Sequence, residues 1–215
     1  TALKWYTLSA EQGHAPAQSF IGVMYYDGKG ILQDYKTAVK WFTLSAKQGH
    51  APAQYNLGVM YKDGLGVIQD YKMAVKWFAL SAEQGDASAQ LNLGYMYSEG
   101  RGILQDYKEA VKWYTLSAEQ GHAAAQFNLG NMYNKGQGVL LDYKEAVKWF
   151  TLSAEQGDAS AQLNLGYSYA TGQGVLKNEV YAYMWWNIVA SNENERAKSN
   201  RDKLTEKMTS SQIEK

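Results

Sequence analysis

Three histidines recur at one position of the sequence and are the first residues to consider for metal chemistry. They are His14, His50 and His122, and further copies of that position hold Asp86 and Asp158. Imidazole and carboxylate groups bind zinc at about 2 Å from the ion. Neighbouring copies would lie roughly 10 Å apart, the spacing of packed helices, so they are too distant to share an ion. We therefore interpret the position as the polar start of a helix and predict no metal site.

Glycine-rich loops and repeated serines suggest two other kinds of chemistry. Each loop has the pattern G-x-G, as at Gly64 and Gly66. A phosphate-binding loop needs G-x-G-x-x-G after a strand, or G-K-[ST] before a helix, whereas here apolar residues and an aspartate follow. Ser45 recurs in the repeats, but no Ser-His-Asp set can be identified with it. The carboxylates Asp106 and Glu109 are interpreted as the start of a helix. The sequence predicts no catalytic residue and no cofactor.

Tryptophans at a constant spacing of 36 residues show that the chain is built from repeats. A period of this size is typical of stacked-repeat proteins, in which each repeat contacts only its neighbours. The tryptophans are Trp5, Trp41, Trp77, Trp113, Trp149 and Trp185. The predicted repeats span residues 14–49, 50–85, 86–121, 122–157 and 158–193. Residues 1–13 read as a lone second helix, and 194–215 as a polar capping segment that includes the start of one more short helix.

The first helix of each repeat, helix A, is predicted at about residues 51–62 in the second repeat. Ala53, Leu57 and Met60 recur at helical spacing and form one apolar face. Gly58 lies in the middle of this helix, where it costs about 1 kcal/mol relative to alanine. We expect another helix to cross there too closely for a side chain. Asn56 recurs in most repeats and is predicted to be an inward amide that bonds a neighbouring backbone.

The second helix, helix B, is predicted to begin after Asp70, which has the side chain of a good N-cap residue. Its face toward helix A includes Phe78, and Trp77 and Leu80 lie beside that face. These two side chains are expected to pack on the next repeat. A helix pair cannot bury its own aromatic face, and stacking contributes roughly 1.5–3 kcal/mol for each large apolar side chain buried. The periodicity thus predicts an all-α solenoid of 36-residue helix-turn-helix repeats.

Composition narrows the class of protein. Lysine and arginine number 21, as do aspartate and glutamate, so the net charge is zero and a nucleic-acid partner is not expected. No apolar run reaches the length of a membrane span, and no signal peptide is visible. The chain has no cysteine, which excludes disulfides and thiolate metal sites. Because Thr1 falls inside a repeat, we expect the chain to be trimmed from a longer one.

The pattern A-x-x-N-L-G-x-M-Y-x-x-G-x-G-V-x-x-D-Y-x-x-A-x-x-W resembles the Sel-one-like repeat family, which is related to the tetratricopeptide repeats. The resemblance covers essentially residues 1–200, and the segment after it is similar to the terminal segment of bacterial members. It implies a right-handed α/α superhelix that acts as a protein-binding scaffold. It also favours a bacterial protein that is periplasmic or secreted rather than cytoplasmic.

Positions that vary between otherwise near-identical repeats are the candidates for binding. On helix A they occur at i, i+4 and i+7 and form a single stripe, either opposite the packing face or beside it. In superhelical repeats the concave surface is lined by first helices and is the usual binding surface. The predicted partner-binding residues, named here the helix-A stripe, are Tyr26, Tyr55, Lys62, Leu91, Tyr95, Phe127, Asn131, Asn134 and Tyr167. The alternative is that the large members only pack on the next repeat.

We therefore predict a non-enzymatic scaffold that binds a protein or peptide ligand. Two alternatives stay open. Cysteine-rich members of the family have been linked to β-lactam binding or hydrolysis, although this chain lacks their cysteines. The near-identical repeats could instead serve as a structural spacer or a self-assembling element. A monomer is favoured over a self-assembling form.

Overall fold

Helices joined by short turns make up the computed structural model, which describes residues 2–191 and 193–213. The helices are α1 (Ala2–Glu11), α2 (Ala15–Asp27), α3 (Tyr35–Lys47), α4 (Ala51–Asp63), α5 (Tyr71–Ala82), α6 (Ala87–Glu99), α7 (Tyr107–Glu119), α8 (Ala123–Lys135), α9 (Tyr143–Glu155), α10 (Ala159–Thr171), α11 (Glu179–Ala190), α12 (Glu195–Thr205) and α13 (Ser210–Ile213). No strand occurs in these described ranges. The predicted all-α class is confirmed.

The ends of the helices are set by the residues that the sequence singles out. The Asp70 carboxylate accepts hydrogen bonds from the backbone N–H groups of Lys72 and Met73, at 2.9 and 3.1 Å, and so begins α5. Gly64 follows α4 with a φ of 70°, and its N–H donates to the Met60 carbonyl. A left-handed backbone is open to glycine because it has no Cβ. Helix A therefore ends, and helix B begins, at fixed points of every repeat.

Close packing accounts for the glycine in the middle of helix A. A Cβ built on Gly58 would lie 2.7 Å from the ring of Phe78, which is fully buried on α5. The same relation holds between Gly22 and Phe42. The predicted close crossing is therefore confirmed, and the atoms that need the space belong to an aromatic ring of helix B.

The tryptophans pack in the opposite direction from the one predicted. Trp77 belongs to a buried cluster that includes Leu57 of its own repeat and Phe42 of the preceding repeat. Trp113 likewise packs against the cluster around Phe78. The prediction that Trp77 contacts the next repeat was wrong. Helical periodicity shows that this side chain lies beside the face toward helix A, but it does not show which of the two neighbouring repeats it meets.

Buried glutamines and serines form hydrogen bonds between successive helices. The Gln54 side chain is 4% exposed, and its Nε2 donates to the Ala46 carbonyl at 3.2 Å. Its Oε1 accepts from Gln84 Nε2 at 2.7 Å, while Ser81 Oγ donates to the Ala51 carbonyl at 2.9 Å. The equivalent buried glutamines are Gln18, Gln90, Gln126 and Gln162. The repeated serine thus joins the two helices of one repeat, whereas the glutamine also reaches the preceding repeat.

Two compact units divide the described chain, an N-terminal unit of residues 1–113 and a C-terminal unit of residues 114–215. Within the N-terminal unit, each of the helices α1 to α5 packs against the next one in the chain, ending with α5 on α6. Within the C-terminal unit, the same holds from α8 to α12. Each unit is therefore a ladder of consecutive helices, as expected for a repeat solenoid.

The C-terminal end of the ladder is a modified repeat. α12 packs on α11, and its Leu204 joins Met208 and Trp186 in one buried cluster. Ile213 of α13 lies at the edge of the same cluster. The polar helix α12 thus covers the last helix pair with a few apolar side chains.

Candidate functional site

All nine residues of the helix-A stripe are partly exposed, and none is either fully buried or fully open. They lie on α2, α4, α6, α8 and α10, the first helices of the repeats. Partial exposure is expected at this position, because the stripe borders the apolar face of helix A. The stripe is therefore a surface in both units, and its members differ in what they contact.

In the N-terminal unit, two stripe tyrosines pack against other aromatic rings. The ring of Tyr26 meets Tyr35 edge-on at 5.5 Å, and Tyr55 contacts the buried Phe78 at 6.0 Å. Burial raises the pKa of Tyr26 above its usual value, and Tyr35 and Asp63 raise it further. Burial also raises the pKa of Tyr55, with a smaller contribution from Tyr26 itself. Both phenols are neutral at physiological pH and can donate a hydrogen bond.

Charged side chains lie at or beside other stripe positions of this unit. Lys62 forms an ion pair with Asp63 at 3.6 Å. The Arg101 guanidinium lies 5.4 Å from the ring centre of the stripe residue Tyr95 and 5.7 Å from that of Tyr71. An arginine held between aromatic rings is a frequent feature of protein interfaces. Leu91, the remaining stripe residue of this unit, is half-buried.

In the C-terminal unit, the stripe includes a polar cleft with a volume of about 240 Å³. Asn134 and Tyr167 line it together with Asn164. Asn164 Nδ2 donates to the Oδ1 of the stripe residue Asn131 at 3.4 Å. The cleft therefore offers amide donors and acceptors beside an aromatic ring. The ring of the stripe residue Phe127 packs at 6.0 Å from that of Phe150.

Tyr167 also fixes the position of α12. Its hydroxyl accepts hydrogen bonds from Arg196 Nε at 3.0 Å and from Asn200 Nδ2 at 2.8 Å, both on α12. Its ring meets Trp186 edge-on at 5.4 Å. Replacement of this tyrosine is therefore expected to disturb the fold as well as any binding.

Three residues of this surface were missed by sequence reasoning. Arg101 stands in the middle of a G-x-G loop where the other loops have no arginine, and that difference between repeats was the available signal. Asn164 belongs to a repeated position, which we interpreted as an inward amide. In the third repeat this position does bond backbone, since Asn92 Nδ2 donates to the Ser88 carbonyl within its own helix. The Arg196 contact depends on the modified last repeat and has no counterpart elsewhere in the repeat pattern.

The recurrent histidine position lies at the start of helix A. Burial lowers the pKa of His50, and the nearby His14 lowers it further, so the imidazole is neutral at physiological pH. Neither His50 nor His122 caps its helix through the side chain, whereas Asp86 accepts a bond from the Ala89 N–H at 2.7 Å. Across the described ranges, no three His, Asp or Glu side chains come together as metal ligands would.

The fold and this surface define a class, the all-α helical-repeat solenoids. Within that class, the chain belongs to the Sel1 repeat family. The family model matches residues 1–14, 15–50, 51–86, 87–122, 123–158 and 159–194. Sel1 repeats form scaffolds for protein interaction, and the fold is generally non-enzymatic. None of the helices in the described part of the chain has both the length and the apolar character of a membrane span.

Solved structures of similar proteins agree with this assignment. The c5321 protein, a protective antigen of uropathogenic Escherichia coli with an SLR fold, is 40% identical with a TM-score of 0.87. The match covers 91% of this chain but only 42% of that protein. A Sel1 repeat protein from Oxalobacter formigenes is 38% identical with a TM-score of 0.81, covering 86% of this chain and 74% of that one. No curated protein matches the chain.

A more distant likeness extends to a protein with a different description. The immunity protein Pa5087 of Pseudomonas aeruginosa is 19% identical with a TM-score of 0.54, over 88% of this chain and 72% of that protein. At this level of identity the likeness supports the fold alone.

Proposed function

We propose that this protein is a non-enzymatic scaffold that binds a protein or peptide ligand along the helix-A stripe, the surface predicted to be concave. The observation that carries the proposal is the cleft of the C-terminal unit, where two stripe residues, Asn134 and Tyr167, line one space of about 240 Å³. Amide groups next to an aromatic ring can bind both the backbone and an apolar side chain of a peptide.

The chemistry of the N-terminal unit supports the same proposal. Half-buried tyrosines with neutral hydroxyls, and an arginine held between two aromatic rings, are the residue types that contribute most to binding energy at interfaces. Such side chains are held in place by their packing, so they lose little conformational entropy when a partner binds.

The test requires stripe residues that can be changed without damage to the core. Phe127 and Tyr167 are unsuitable, because they pack on Phe150 and Trp186. Asn131 and Asn134 are polar and partly exposed, so the double variant Asn131→Ala/Asn134→Ala is the appropriate change. The matched control is Lys144→Ala/Lys148→Ala, which alters two exposed residues on the helix B of the same repeat.

Each protein, immobilised at equal density, is used to capture partners from an extract of the source cell, followed by mass spectrometry. We expect one or more proteins that bind the unmodified chain and the lysine control but are lost with the asparagine variant. Equal capture by all three proteins, with equal thermal stability, would contradict the proposed surface.

A further inference from the structure

A second pocket of the C-terminal unit has a different lining from the cleft of the stripe. Its volume is about 260 Å³, and it lies where α10, α11 and α12 meet. Its lining includes Ala170, Lys177, Glu179, Trp186, Lys203 and Lys207. We call it the lysine pocket, because lysines outnumber carboxylates there three to one in a chain whose net charge is zero.

Two of the three lysines of this pocket form no ion pair with a described residue. Lys177 pairs with Glu179 at 3.0 Å. Lys203 and Lys207 are exposed, stand four residues apart, and form no ion pair with any described residue. Lys203 lies in α12 and Lys207 in the turn that follows it, and both line the pocket, so two like charges face the same space. Such an arrangement disfavours the empty pocket and favours an anion in it.

The base of the pocket is apolar. Trp186 is 5% exposed and Leu204 is 9% exposed, and the small side chain of Ala170 leaves room beside them. The Trp186 indole is fixed in place, because its Nε1 donates to the Leu163 carbonyl at 3.2 Å. The pocket thus combines a rigid apolar base with positive charge at its mouth.

Two positions at this place differ from their equivalents in the earlier repeats. The residue equivalent to Lys177 is a glutamine in the first three repeats, as at Gln69, whose Nε2 donates to the Lys62 carbonyl at 2.7 Å. Lys177 instead pairs with Glu179. The position of Ala170 holds larger residues in the earlier repeats, which are Tyr26, Lys62, Ser98 and Asn134. A lysine replaces a structural amide where a smaller residue opens space, and the repeat fold itself requires neither change.

We infer that the lysine pocket binds a carboxylate of an acidic peptide segment, with the neighbouring apolar side chain of that peptide on Trp186 and Leu204. The inference rests on the proposed peptide-binding function and adds a ligand class to it. A single negative charge fits better than a doubly charged phosphate, because the Glu179 carboxylate is part of the lining and repels the second charge. Lysine ammonium groups form charge-assisted hydrogen bonds with a carboxylate.

The probe is the dipeptide N-acetyl-Leu-Glu with an amidated C-terminus, titrated into ¹⁵N-labelled protein. The signal to follow is the indole N–H of Trp186, identified by its loss in Trp186→Phe. We expect a saturable shift that weakens as salt is added, because the charges at the mouth are open to solvent. N-acetyl-Leu-Gln amide, which lacks only the charge, should cause no saturable shift. Equal shifts from the two dipeptides would overturn the inference, and so would equal shifts from inorganic phosphate.

The variant Lys203→Gln/Lys207→Gln removes two charges and keeps the length of both side chains. It should weaken binding of the acidic dipeptide by about tenfold, the loss expected for two exposed ion pairs of moderate strength. The control Lys135→Gln/Lys144→Gln removes the same charge elsewhere in the unit and should bind like the unmodified protein. Equal weakening in both variants would indicate net charge alone and contradict a site. The titration needs no natural partner, so its outcome is independent of the capture experiment on the stripe.

Discussion

The buried glutamine of helix A provides the most direct test of how the repeats are held together. In the change Gln54→Met, the side chain keeps about the same length and loses its hydrogen-bonding groups. Two bonds disappear, the one donated to Ala46 and the one accepted from Gln84. Because Gln54 joins α4 to the preceding helix B and to the following one, the change acts between repeats as well as within one.

The loss of stability depends on whether the former hydrogen-bond partners of Gln54 keep other partners. The Ala46 carbonyl still accepts from the Gly49 N–H at 3.0 Å, and the Gln84 amide still donates to Leu80 at 3.1 Å. Neither group is left without a partner, so the larger penalty for an unsatisfied buried group does not apply. Each lost bond costs about 1 kcal/mol, and burial of the thioether recovers part of that. We expect the free energy of unfolding to fall by about 1–2 kcal/mol, or the melting temperature by roughly 2–8 °C.

Urea unfolding followed by circular dichroism and by tryptophan fluorescence measures this change. The two transitions must coincide before a free energy is assigned, because repeat proteins can unfold in parts. The control is Gln69→Met, in an exposed loop, which removes one bond to the Lys62 carbonyl and should cost less than about 0.5 kcal/mol. If Gln54→Met costs no more than this control, the buried glutamines do not stabilise the stack.

Two further predictions concern helix packing and helix capping. Gly58→Ala should lower the free energy of unfolding by about 1–2 kcal/mol despite the better helix propensity of alanine, because the new Cβ overlaps the buried ring of Phe78. Phe78→Leu should relieve most of this cost in the double variant, and stabilisation by Gly58→Ala alone would contradict the argument. His122→Asp should raise the free energy of unfolding by about 1 kcal/mol, since Asp86 caps the equivalent helix and His122 does not. An unchanged urea midpoint, equal to that of His122→Ala, would refute the capping argument.

The repeat period made most of the helical framework predictable. The helix starts at Asp70 and its equivalents, the glycine ends and the close crossing at Gly58 all follow from local rules that act within a repeat. The direction in which Trp77 packs did not follow, because a period identifies positions that are equivalent and does not orient the stack. The glutamine network was missed for a related reason. The repeat pattern favours asparagine as the inward amide, whereas it is the longer glutamine whose side chain reaches the preceding helix.

The binding surface was predictable in location and less so in detail. Variation at fixed positions of helix A marks a partly exposed stripe, and all of its predicted members are partly exposed. Whether they bind a ligand or only pack stays a prediction. The contacts of Tyr167 show why one sequence cannot separate these roles. Its ring packs on Trp186, and its hydroxyl accepts hydrogen bonds from Arg196 and Asn200 of α12, which follows the last repeat matched by the family model.

A physical reason connects the two candidate sites of the C-terminal unit. In a solenoid, a change at a framework position of an internal repeat disturbs two neighbours, whereas a change in the last repeat disturbs only one. Departures such as Ala170 and Lys177 are therefore less costly near the end of the ladder, where α12 can fill or line the space they create. The predicted stripe residues of the internal repeats lie instead at positions that the stack leaves partly exposed. On this argument, a ligand would be recognised along the stripe by spaced contacts and at the C-terminal end by charge.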